Sequence, residues 1–174
     1  MFIITNVRVL YIETRGVKMK VWIIHDSHYG NGEKLAQTLG AAFGKKTDVQ
    51  IAHNKKVTPE QVVADAPDVI IVGTAARKFQ ISGASKRWLR KLNKILVAEN
   101  KTIKYGASFL THAMPKKNAK FWGERFHKKL ANLPIENMHS EWISGRVSDA
   151  KGPFMDGEQE KFEQIAKTLK DWMK

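Results

Sequence analysis

The sequence predicts an α/β fold: a three-layer, open parallel sheet of five strands with helices on both faces. Three observations predict it. Short apolar runs alternate with stretches of 3.6-residue periodicity along most of the chain. One run, Pro67 to Gly73 (PDVIIVG), is apolar almost throughout, as a strand buried on both faces must be. Near the start, Lys20 to Glu33 (KVWIIHDSHYGNGE) passes from an apolar run through Ser, Gly and Asn straight into helical spacing, which reads as strand–loop–helix.

Residues 1–18 precede the first core strand. MFIITNVRVLYIE is apolar but broken by Asn6 and Arg8, and it lacks the basic start and small-residue cleavage site of a signal peptide. It is read as an N-terminal extension, either an added strand or a poorly ordered arm. Met19 is an alternative start of translation. Residues 19–174 are read as a single domain, a normal size for one hydrophobic core.

Strand one is placed at 19–26 and helix one at 32–44, with Leu35, Ala36, Leu39 and Phe43 inward. Thr47 to His53 is strand two, Val49 and Ile51 sharing a face. Thr58 and Pro59 suit the N-cap and first turn of a short helix. Pro67 to Gly73 is the central strand. Ser82 to Val97 is helix three, with Trp88, Leu89, Leu92, Ile95 and Leu96 inward and Lys86, Arg87, Arg90, Lys91 and Lys94 outward. Thr102 to Leu110 is strand four, Asn118 to Leu130 helix four, and Glu136 to Ile143 a short strand five. Asp156 to Met173 closes the chain as a helix with Phe162, Ile165, Ala166, Leu169 and Met173 inward. Strand–helix alternation of this kind implies right-handed crossovers and a parallel sheet.

Ligands of open parallel sheets sit at the carboxyl ends of the strands. The loop Ser27-His28-Tyr29-Gly30-Asn31-Gly32 stands at such an end. It has no Lys, but it offers backbone N–H groups, the Ser27 hydroxyl and the Asn31 amide, backed by a helix N-terminus, which suits a phosphate. An ordinary βα turn with Gly30 and Gly32 at positive φ is the alternative.

These residues resemble the phosphate loop of flavodoxins, Ser/Thr-x-Thr-Gly-Asn-Thr after an apolar strand and an Asp-Ser corner. Asp26-Ser27 matches the corner and Gly30-Asn31 the centre; Tyr29 and Gly32 depart from the pattern. The resemblance implies a flavodoxin-like sheet of order 2-1-3-4-5 in the short-chain form, and flavin mononucleotide (FMN) as cofactor. It implies ring contacts from two further loops. The first is Gly73 to Gly83, with backbone groups of Thr74, Ala75, Ala76, Arg77 and Lys78 at the ring edge and Phe79 over one face. The second is Thr111-His112-Ala113-Met114, where His112 or Met114 takes the place of the usual aromatic stack.

Other chemistries fit less well. There is no Gly-x-x-x-x-Gly-Lys-Ser/Thr, and Gly30-Asn31-Gly32 lacks the third Gly of the dinucleotide fingerprint. A phospho-receiver needs Asp at the end of strand three, where Val72-Gly73 stands. His25 and His28 have no third ligand nearby, and His53, His127 and His139 read as surface or strand-end residues, so no metal site is expected. The lack of cysteine excludes disulfides and thiolate sites and fits an intracellular, cytoplasmic protein. No stretch is apolar enough to span a membrane.

The net charge is +13. Val69 to Gly123 holds twelve Lys/Arg, Arg77 to Lys120, against one acid, Glu99. This basic face is read as a docking surface for an acidic redox partner, a ferredoxin-like carrier or a reductase. The reading is therefore an electron carrier with no catalytic acid or base. Its rivals are an FMN-dependent NAD(P)H:quinone-type oxidoreductase and a basic binding module that has lost FMN. Nucleic acid is disfavoured, because no aromatic residues interleave the basic ones for base stacking.

Overall fold

Val21, Ile23 and Ile24 expose none of their surface, which requires helices on both faces of their strand. The computed structural model describes residues 18–77 and 80–173. In it those residues lie in β1 (Lys20–His25), parallel to β2 (Asp48–His53) on one side and to β3 (Val69–Arg77) on the other. β3 pairs with β5 (Ile103–His112), and β5 with both β6 (Ile135–Met138) and β7 (Ile143–Arg146), all parallel. The two-residue β4 (Gln80–Ile81) folds back antiparallel on the end of β3. The path β2-β1-β3-β5-β6 is the expected 2-1-3-4-5 once β4 is set aside.

Period-two alternation divides the core. Val21, Ile23, Val69 and Ile71 point to one face, under α1 (Asn31–Ala41) and α5 (Glu158–Trp172), where they meet Leu35, Leu39, Phe162 and Leu169. Ile24, Ile70 and Val72 point to the other, under α2 (Pro59–Asp65), α3 (Gly83–Ala98) and α4 (Lys116–Ala131), where Val62, Trp88, Leu92 and Phe126 cover them. Helix starts follow the local chemistry. Thr58 and Gln61 form a reciprocal capping box with Pro59 in the first turn, and the Ser82 hydroxyl accepts from Ser85 N–H. Gly73 faces Phe109 across the sheet; a Cβ there would lie 1.9 Å from the Phe109 ring.

Three expectations change. The segment after Gly73 is not yet loop: β3 runs on to Arg77, because β5 is long enough to continue the ladder through Ala75↔Thr111 and β4 closes the end. Strand four likewise extends to His112. Strand five is two strands, β6 and β7, separated by His139 to Trp142, and each half pairs with a different stretch of β5. Residues 1–17, the proposed extension, lie outside the described residues.

Charge is layered. α3 carries Lys86, Arg87, Arg90, Lys91 and Lys94 and no acid. α4 carries Lys116, Lys117, Lys120, Arg125, Lys128 and Lys129 against Glu124 alone. On the opposite layer, the acids and bases of α1 and α5 nearly cancel.

Candidate functional site

β1 ends at His25, and the chain turns through Gly30, whose φ of 89° only glycine adopts without strain, into α1. Ser27 folds back under the helix start, and its Oγ accepts from Gly32 N–H at 3.1 Å. A Cβ at position 32 would sit 3.3 Å from Ser27 Cβ, so glycine there makes this closure possible. The amides of His28, Tyr29, Gly30 and Asn31, and the Asn31 carboxamide, find no partner among the described residues. The loop is thus a cup of free N–H donors at the positive end of an eleven-residue helix, without a cationic side chain. Such a donor set fits a phosphate group.

Buried polar groups hold the cup from below. Asp26, 4% exposed, accepts Thr74 Oγ1 and Ala75 N at 3.0 Å and Ser85 Oγ at 2.8 Å. Arg77 donates to the Asp26 backbone oxygen and lies 3.6 Å from its carboxylate. One carboxylate therefore ties the ends of β1 and β3 to the first turn of α3. His53 Nε2 lies 3.1 Å from the Ser27 carbonyl, while its Nδ1 accepts Lys55 N–H at 3.0 Å. His53 stands at a strand end, but its role is structural. His25 packs edge-on against it, with ring centroids 5.3 Å apart, and accepts Ser27 N–H at Nδ1. The backbone donor into its Nδ1 requires a neutral His25 ring. Burial pushes His25 below the ordinary His pKa, and His53 adds to the effect.

The other two segments end neighbouring strands. Thr74 is 1% exposed with its hydroxyl committed to Asp26, so it braces the site rather than facing a ligand. Ala75 and Ala76 are half-buried and Arg77 is exposed. Lys78 and Phe79 lie outside the described residues. His112 was expected in an open loop beside the ring. It is instead 1% exposed at the end of β5, its Nδ1 2.7 Å from the Met114 carbonyl and its Nε2 2.9 Å from Ser144 Oγ. A carbonyl partner places the proton on Nδ1 and leaves Nε2 to accept from Ser144. Burial depresses the His112 pKa, against a smaller opposing effect of the Met114 carbonyl.

These pieces meet in one cavity of about 340 Å³ at the carboxyl edge of the sheet. The first loop lines it with Ser27, His28, Tyr29, Asn31 and Gly32; Gly30 shapes the turn behind. Ala75, Ala76 and Arg77 form a second wall, and Thr111, His112, Ala113 and Met114 a third. A fourth wall was not foreseen. Val147 and Ala150 come from a turn closed by the Val147↔Phe154 bridge and by Ser148 N–H on the Pro153 carbonyl at 2.8 Å. Gly152 in that turn, at φ 94°, presses on Asn31 so closely that a Cβ would lie 2.5 Å from its Oδ1. The only sequence signal for this wall is Gly152-Pro153 after the last strand. Asp26 was legible as half of the Asp-Ser corner, but not as the clamp.

No protein-family model matches the chain, and no curated protein matches it in sequence. Solved structures do match it in shape. Flavodoxin 2 from Bacillus cereus superposes with a TM-score of 0.69 at 16% identity, covering 88% of this chain and 99% of that one. A WrbA-like flavodoxin protein from Agrobacterium tumefaciens gives 0.65 at 12% identity, covering 90% and 98%. Rubredoxin oxygen:oxidoreductase from Desulfovibrio gigas gives 0.65 at 18% identity; this chain covers 37% of that protein's length. The likeness shows that the chain has the flavodoxin-like fold.

Proposed function

We propose that the protein binds FMN in this cavity and carries electrons between protein partners. The observation that carries the proposal is the amide cup without a cation, set at the strand ends beside a cavity wide enough for an aromatic ring system. Ser27 and the free amides of His28 to Asn31 hold the phosphate, and the Gly32 N–H on Ser27 Oγ closes the loop beneath it. Ala75, Ala76 and Arg77 flank the ring on one side; Lys78 and Phe79, which follow them in sequence, are proposed to contact it too. Thr111, His112, Ala113 and Met114 flank the other. The flavin supplies reversible electron transfer when bound; the chain binds it, orients it and shields it from water. No acid–base constellation is needed for that work. Several shape-matched proteins are flavodoxins by name, which supports the cofactor assignment. Among the described residues no helix is long and apolar enough to cross a membrane, and the proposed site of action is the cytoplasm.

The proposed partner is an acidic redox protein, ferredoxin-like or a reductase, drawn to the basic α3–α4 layer. Fluorescence quenching in an FMN titration tests the cofactor assignment: saturation at one equivalent is expected, and unquenched flavin at excess protein would reject it. Turnover of NAD(P)H with a quinone by the loaded protein would move the assignment from carrier to oxidoreductase.

A further inference from the structure

Beside the flavin cavity lies a second concavity of about 540 Å³, between the start of α4 and the residues that interrupt the fifth strand position. Its lining is dominated by donors. Lys116 and Lys117 form no ion pair among the described residues, and Lys120 reaches only Glu124, at 3.6 Å. The Ser140 hydroxyl and the Trp142 indole N–H have no hydrogen-bond partner there either. Trp142 is wedged against α4, where a Cβ on Gly123 would lie 2.3 Å from its ring. Its other side faces His112, ring centroids 6.2 Å apart, and His112 is a wall of the flavin cavity. Two rings thus separate the concavity from the cofactor site. Next to it on α4, Phe121 is 58% exposed, with the Arg125 guanidinium 5.8 Å from its ring centre.

We infer that this groove is the docking site of the acidic partner, which sets Asp and Glu side chains against Lys116, Lys117 and the Trp142 N–H and packs an apolar side chain on Phe121. A buried aromatic anchor ringed by charge is the usual form of an energetic centre in an interface. Glu124 and Glu141 lie within the same lining, so the pattern is mixed in sign. Mixed charge suits a protein surface, which can answer both signs, better than a nucleic-acid backbone of one sign. That the partner is a redox protein rests on the carrier function proposed above; that it docks here does not.

The test uses the full chain and an acidic [2Fe–2S] ferredoxin as probe, with affinity measured by calorimetry at low and moderate salt. The variant Lys116→Gln/Lys117→Gln/Lys120→Gln should weaken binding on the order of tenfold or more, and Phe121→Ala should weaken it at moderate salt as well. A control, Arg87→Gln/Arg90→Gln/Lys94→Gln, removes the same charge from α3 and should weaken it less than about threefold. Equal losses from the two triple variants, unchanged binding in the α4 variant, or no binding by the wild type would overturn the inference. Tighter binding of a DNA duplex than of the ferredoxin through the same lysines would overturn it too. FMN quenching on each variant keeps the two proposals apart. Ferredoxin binding that depends on the α4 lysines, without FMN binding, leaves the docking site and removes the carrier; FMN binding with α4-independent docking does the reverse.

Discussion

Asp26 shows how much one side chain can decide. Its carboxylate accepts three donors from two other segments while nearly excluded from water. In Asp26→Ala, the Thr74 and Ser85 hydroxyls and the Ala75 N–H all lose their acceptor. Hydrogen bonds to charged groups and buried donors left unpaired make this a loss of about 2–4 kcal/mol. Chemical denaturation measures it, and a loss below about 1 kcal/mol would show that water replaces the carboxylate. Gly32 acts by being small. In Gly32→Val the new branches must displace Ser27, whose Cβ lies 3.3 Å from where the first added carbon would stand. We expect about 1–3 kcal/mol of destabilisation from overpacking. FMN affinity should fall on the order of tenfold, because the displaced hydroxyl leaves the cup. An FMN titration of the variant with wild-type affinity would mean that Ser27 plays no part in holding phosphate.

At the level of elements, strand ends decide the site, and strand ends are where periodicity says least. The centres of β1 and β3 were plain in the sequence because apolar residues, Val21 to Ile24 and Val69 to Val72, run there without interruption. The extension of β3 to Arg77 was not, because Ala75-Ala76-Arg77 carries little strand propensity of its own and is held by the β5 ladder and by Asp26. Thr58 and Ser82 were readable as caps because capping is local chemistry. The wall at Val147 and Ala150 was not readable, since it exists only when the turn packs on Asn31 from far along the chain. The split of the fifth strand was hidden for a similar reason: the break at His139 to Trp142 sits where Trp142 packs on Gly123, a contact made only in the fold.

Strand ends also hold two buried histidines, His25 and His112, and a third, His127, is half-buried within α4 against Ser108. His25, His112 and His127 are each pushed below the ordinary value of 6.5 chiefly by burial. Just below that value the unfolded chain binds protons that the folded chain refuses. Their contribution is therefore complete above about pH 6.5 and is lost as pH falls through their lowered folded values. Glu60 and Asp65, held below their usual pKa mainly by Lys91 and Lys20, titrate lower and add no slope in that window. The urea midpoint should be lower at about pH 5.5 than at about pH 7.5. Replacing His127 by Gln should flatten the difference. A midpoint that rises on acidification would contradict the assignment.

Across the whole molecule, charge is sorted by layer. Ten of the positive charges lie on α3 and α4 net of Glu124, out of a total of +13. A fully reduced flavin in the proposed site would be negatively charged, and this field would stabilise it. One charge at roughly 10 Å in water contributes about 0.4 kcal/mol, or about 15–20 mV for a single electron. Several such charges should move the second-electron potential some tens of millivolts upward, less after screening by salt. A redox titration should thus give a less negative value than acidic flavodoxins show, and an equal or lower value would refute the argument.

The phosphate cup answers to a different variable. It is lined by neutral dipoles inside a cavity, whereas any contact made by the exposed lysines and arginines of α3 and α4 is screened by added salt. Ionic strength should therefore address the two occupants separately. If FMN fills the proposed site, a molar-salt wash should strip an acidic partner from the lysine-rich side and leave the eluted protein yellow.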